Sequence, residues 1–202
     1  MTTHGITQGQ AHSDSYVWAN EKYEAIVKQM SSAATQHLKH NEVERLLEQE
    51  GRELLRRLLQ AHINDRSKRE VKEAVIDAVG VTHTHQRQHT RHLETIFGEV
   101  EITRQGHGGI GLTSLHPLDG ELNLPQERYS HTVRERVAEA ASKAPFDEVI
   151  GDMDKYTGAH VPKRQAEALV QRTTQDFDPY YERKHQDPET ANKVSSGGAG
   201  DQ

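Results

Sequence analysis

Lys163, Arg164, Glu167 and Gln171 recur at helical spacing in VPKRQAEALVQR, and Arg172 follows them. Ammonium and guanidinium groups pair with phosphate oxygens, while Arg, Glu and Gln also hydrogen-bond base edges, so this set suits recognition of duplex DNA. Ala166, Leu169 and Val170 fall on the other side of the same helix and give it a face to bury. The polar set is therefore directed outward. Lys163 and Arg164, at the helix start, stand where a recognition helix meets the major groove. The same residues also fit an ordinary αα-hairpin inside a helical core, and spacing alone does not separate the two readings.

A second group lies in HTHQRQHTRH, residues 83–92, with four histidines, two arginines and no acid. Arg87 and Arg91 there suit phosphate tracking. His83, His85 and His89 could instead ligate zinc or nickel, but such a site needs three or four converging ligands with second-layer support, and no cysteine is present. A solvated linker is the third reading, and no metal ligand is assigned. The glycine run HGGIG lacks the Lys-Ser/Thr ending and following helix of a phosphate loop, so it reads as a flexible connection. Asp119 in PLDG reads as a turn acid, and Asp152 with Asp154 as a helix-surface pair. No nucleophile–base spacing can be argued, so no catalytic residue is assigned.

Three helices would have to position the 163–172 set. Phe146, Val149, Ile150 and Met153 share one face of a first helix, and Gly158 is expected to end it by adopting positive φ. Pro162 then opens the next helix, where its missing N–H does no harm. Upstream, Ser130 caps a helix striped by Val133, Val137, Ala140 and Ala141 that stops before Pro145. Together these predict a trihelical helix-turn-helix within 129–184. From Arg91 the period changes to two, predicting a hairpin over 91–105 that turns at Phe97–Gly98–Glu99, with a short third strand within 112–118.

Nearer the N-terminus, Asp14 or Ser15 could cap a helix striped by Tyr23, Ile26, Val27 and Met30. A longer helix is predicted from Asn41, capped with Glu44, to about Glu73, with Leu47, Leu54, Leu58 and Leu59 along one side. Its length favours a coiled coil with a second copy, against a single helix packed on its own domain. The predicted class is mainly α with a small β-hairpin. The units are a disordered 1–13, a helical assembly region 14–80, a basic linker and β-ribbon 81–128, the helix-turn-helix, and a disordered tail 185–202.

Only 33% of the 202 residues are hydrophobic and 28% are charged, which favours several small units over one large core. The absence of cysteine excludes disulfides and thiolate metal sites. No stretch approaches the roughly 20 apolar residues of a membrane span, and MTTHGITQGQ lacks a signal-peptide core, so a cytoplasmic protein is expected. A net charge of −6 argues against coating nucleic acid along the whole surface. From Glu127 to Arg172 eight basic and eight acidic residues balance, so DNA contact must be local and strongly salt-dependent.

At RHLETIFGEVEITRQG, PLDGELNLPQERYS and FDEVIGDMDKYTGAHVPKRQAEALV the chain resembles bacterial insertion-sequence transposases of the Kra type, a DDE family, over about Gln60 to Tyr181. The resemblance implies an N-terminal region that binds transposon terminal repeats and assembles as a homodimer or with a full-length transposase. In that family a following RNase H-type domain carries three metal-binding acids. The chain ends at SSGGAGDQ, about where the family's linker leads into that domain, so no catalytic residue is carried over and no cofactor is expected here. A dimerising interaction protein that inhibits a full-length transposase is the second expectation, and a metal-dependent nuclease the third.

Overall fold

The computed structural model describes residues 15–70 and 73–172. The expected disordered ends, the cap at Asp14 and everything beyond 172 lie outside the described residues. The elements are α1 (Val17–Met30), α2 (Ala33–Gln36), α3 (His40–Lys68), β1 (Val75–Ile76), β2 (Thr82–His83), β3 (His85–Thr95), β4 (Gly98–Gly109), β5 (Leu112–Leu115), α4 (Pro117–Glu121), α5 (His131–Ala141), α6 (Phe146–Tyr156) and a last helix, α7, over 163–172. Helix predominates, with two small antiparallel sheets, β1-β2 and β3-β4-β5.

Helices α1 and α3 pack on each other through a charged clamp as well as apolar contact. Arg57 and Arg56 stand 4.3 and 5.0 Å from the Trp18 ring centre, and Glu53 accepts from both guanidinium groups. The carboxyl is lowered from 4.5 to about 2, chiefly by the Arg56 hydrogen bond. Because the folded value lies below the unfolded one, the stability this clamp contributes is complete above the unfolded range and is lost as pH falls through about 2. Glu53→Gln is therefore expected to lower stability by about 1 kcal/mol at neutral pH, a figure kept small by partial exposure. In urea melts the gap between variant and wild type should close as pH falls from 4.5 toward 2; a gap independent of pH would contradict this role.

The sequence misplaces several details here. Helix α3 starts two residues early, where the Glu42 carboxylate accepts the Lys39 N–H at 2.8 Å. On α1 the buried residue is Ala19, whereas Tyr23 and Val27 of the expected stripe are exposed. The leucine side of α3 is divided. Leu59 and Ile63 pack with Leu93, Val100, Ile102 and Leu118 in one core, while Leu47, Leu55 and Leu58 stay exposed. What α3 packs against is its own α1 and β4, so a coiled coil is not what this contact forms.

The hairpin is longer than 91–105. Pairing runs from His85↔Gly108 to Thr95↔Gly98, so the expected basic linker is strand β3, and the turn is Ile96 and Phe97 with Gly98 at φ 117°. Gly106, Gly108 and Gly109 belong to β4, while Ile110 and Gly111, the latter at φ 75°, form the hairpin turn into β5, so the run is part strand and part hairpin connection. Along the outer edge of β4, the Gln60 side-chain amide mimics a strand: its nitrogen donates to the Glu101 carbonyl at 2.7 Å and its oxygen accepts the Glu101 N–H at 2.8 Å. Further along, Glu70 accepts the Gln105 N–H at 2.8 Å. Edge donors and acceptors that would otherwise invite another strand are thereby covered.

Helices α5, α6 and α7 share the second core, built from Val133, Val137, Val149, Met153, Val161, Ala166 and Leu169. Ser130 Oγ accepts the Val133 N–H and caps α5, as its position predicts. Gly158 has a different role from the one expected. Its φ is not positive; instead its α-carbon lies against the hairpin tip, where a Cβ would fall 2.4 Å from the Phe97 carbonyl carbon and 2.5 Å from the Gly98 nitrogen. The Gly158 N–H donates to the Ile96 carbonyl at 2.8 Å. Glu94, 6% exposed, completes the joint: its carbonyl accepts the Ser130 N–H, its own N–H donates to the Arg128 carbonyl, and its carboxylate accepts the His160 N–H.

Candidate nucleic-acid interface

Helix α7 is oriented by what it buries. Ala166 and Leu169 are 0 and 2% exposed, and the preceding Val161 is fully buried, which turns Lys163, Arg164 and Gln171 to solvent. Glu167 is half-buried at the edge of that face. Arg164 forms no hydrogen bond or ion pair among the described residues. Lys163 donates to Asp147 of α6 at 2.7 Å, and this bond raises the ammonium's pKa. Both partners are exposed and such pairs contribute little, so phosphate can replace the carboxylate at little cost.

Six residues, 157–162, join α6 to α7. That is longer than the 3–4-residue turn of a helix-turn-helix, and the connection is fixed externally. Thr157 Oγ1 donates to the Met153 carbonyl and accepts the Ala159 N–H, while Arg52 of α3 donates to the Thr157 carbonyl at 2.8 Å. The hairpin tip, α3 and α7 are thus mechanically tied, and the position of the candidate reading helix is set by the sheet.

Of the other arginines singled out by sequence, two are used to hold the chain together. Arg91 is half-buried and donates to the Glu127 carbonyl, and burial together with nearby Arg104 lowers its pKa. Arg172 pairs with the Glu127 carboxylate at 2.8 Å. Both therefore clamp the segment before α5, one at the Glu127 backbone and one at its side chain. Arg87 is exposed on β3 and makes no ion pair among the described residues.

The histidines do not converge as a metal site. His83 pairs with Asp77 at 3.2 Å, His89 Nδ1 lies 3.0 Å from His116 Nε2, and His85 is exposed. Burial, then the Arg104 charge, holds His116 below its ordinary pKa. Among the described residues no group of three or more His, Asp or Glu side chains is placed to hold a metal ion. Asp119 bonds to Arg104, and Asp154 pairs with His160 at 2.9 Å on the surface of α6. Asp152 is exposed on the same helix.

Sequence reasoning missed the outward face of the hairpin's open end. Gln86, Gln88 and Thr90 are exposed there, and Thr90 Oγ1 lies 3.3 Å from Thr103 Oγ1 across the strands. The signal was the alternation of Gln and Thr with His and Arg, which continues the period-two pattern back from Arg91 without any apolar member. No helix among the described residues is long and apolar enough to cross a membrane. Models of protein families, curated proteins and solved structures were compared with the chain, and none of them matches it.

Proposed function

We propose that the chain is a cytoplasmic, non-catalytic DNA-binding region that recognises the ends of a mobile DNA element through α7. The observation that carries this reading is the division of α7 into a buried Ala166–Leu169 side and an exposed Lys163–Arg164–Gln171 side on a three-helix unit. The order of the three transposase-like motifs supports the nature of the target. Assembly accompanies binding: the exposed Leu47, Leu55 and Leu58 of α3 offer an apolar strip to a second copy or to a full-length transposase. That strip also favours the second reading, a dimerising inhibitor that occupies DNA ends unproductively.

The test is equilibrium binding to duplexes carrying inverted terminal repeats and to scrambled duplexes over a range of salt concentrations. Lys163 as a phosphate contact predicts that Lys163→Ala weakens all duplexes alike and flattens the slope of log K against log salt by about one. An unchanged slope, with helical circular dichroism intact, removes Lys163 from the interface.

A further inference from the structure

The β3–β4 ribbon has two ends of opposite character. Its tip carries Glu94, Glu99 and Glu101, paired in part with His92 and Arg128. Its open end carries no acid at all: none lies between 78 and 93 on the β3 side, or between 102 and 118 on the β4 and β5 side. Those two stretches hold three arginines and six histidines in a chain whose net charge is −6. Arg104 is held by Asp119, Arg91 by the Glu127 carbonyl and His83 by Asp77, so the charge that can meet a polyanion is that of exposed Arg87, together with exposed Lys68 at the end of α3.

The pairing register decides which side chains that partner meets. Gln86↔His107, Gln88↔Gln105 and Thr90↔Thr103 lie on one face, and His85, Arg87 and His89 on the other. Strand β3 is the edge of its sheet, and among the described residues its outer side carries a backbone bridge only at Glu94, so Gln86, Gln88 and Thr90 are approachable. Gln88, Thr103 and Gln105 floor a groove of about 500 Å3, walled by Asn64, Ser67 and Lys68 at the end of α3 and by Glu70, whose carboxylate is engaged by the Gln105 N–H. The Gln88 amide makes no hydrogen bond among the described residues.

Amides and hydroxyls at strand spacing present donors and acceptors together, as base edges do: glutamine can bond adenine N6 and N7 at once, and threonine can touch the thymine methyl. A two-stranded ribbon also fits the width of the major groove of B-DNA. We infer that the open end of the ribbon is a second DNA-reading element, with Gln86, Gln88 and Thr90 directed into the major groove of a duplex and Arg87 and Lys68 on flanking phosphates. The inference rests on the DNA-binding reading but not on α7, because the two elements are separate surfaces tied through the hairpin tip. An acidic peptide would satisfy the charge of the patch but not its row of amides, which favours DNA.

Photocrosslinking on the full chain tests this. A benzophenone side chain is placed at position 88, at position 171 or, as a background control, at position 24, where Glu24 is exposed on α1, with circular dichroism confirming the fold. Each protein is irradiated with labelled duplex DNA of random sequence and, separately, with a random single-stranded pool. Adducts with duplex at both 88 and 171, well above those at 24, are expected, with the adduct at 88 suppressed by the major-groove ligand methyl green and not by the minor-groove ligand netropsin. An adduct at 171 alone overturns the ribbon and leaves the helix reading standing; an adduct at 88 alone does the reverse. Background levels at both positions overturn both. Crosslinking at 88 to single strands only, or suppression by netropsin, overturns the major-groove assignment.

Discussion

Gly158→Ala is expected to destabilise the protein by about 3 kcal/mol, since overpacking costs 1–3 kcal/mol and more when the obstacle cannot move. The methyl group would sit 2.4 Å from the Phe97 carbonyl carbon, 2.5 Å from the Gly98 nitrogen and 2.6 Å from the Phe97 oxygen. All three are backbone atoms of a tight turn, so no rotamer change relieves the contact. Relief would require moving the tip away from Gly158, which breaks the Gly158–Ile96 hydrogen bond and disturbs the nearby His160–Glu94 bond. The same substitution at Gly151, exposed in α6 with nothing within 4 Å of its Cβ position, is expected to stabilise by about 0.5–1 kcal/mol through helix propensity. Urea denaturation of the two variants should therefore shift in opposite directions. If Gly158→Ala melts with the wild type, the hairpin tip is not seated on the α6–α7 connection.

Gly158 also illustrates how far the sequence could be read. That a glycine was required between α6 and α7 was legible, but the reason was not, because the atoms that exclude a Cβ belong to Phe97 and Gly98, distant in the chain. The three helices around Val133, Val149 and Leu169 were legible because each carries its own cap or breaker and its own apolar period. Strand β3 was only half legible. From Leu93 its residues enter the core, whereas from His85 to Thr90 they are polar on both faces, and only pairing with β4 makes them a strand.

Arg91 and Arg172 show the same limit at the candidate interface. An arginine in a basic or helical segment reads as a phosphate contact until a distant carbonyl or carboxylate, here both from Glu127, is brought to it. The leucines of α3 read as one seam because a helix period cannot tell which part of a stripe faces its own sheet. Leu59 does so, and Leu47 does not.

Arg164→Ala is expected to lower affinity for the cognate duplex roughly tenfold or more, since a bidentate guanidinium–guanine contact is worth about 1–3 kcal/mol. The side chain is exposed in the first turn of α7 and has no partner among the described residues, so its removal leaves no buried group unpaired and should not change stability. The loss should fall on one base position. Affinity for unrelated duplexes should change far less, which distinguishes Arg164 as a base reader from Lys163 as a phosphate contact.

Selection of duplexes from a random pool by the full-length chain, run in parallel with wild type and Arg164→Ala, tests sequence-specific recognition by α7 most directly. The wild type is predicted to enrich one motif, and Arg164→Ala to enrich the same motif with preference lost at a single position. A wild type that enriches nothing, or a variant whose motif is identical at every position, would contradict it and leave α5, α6 and α7 as a packing unit alone.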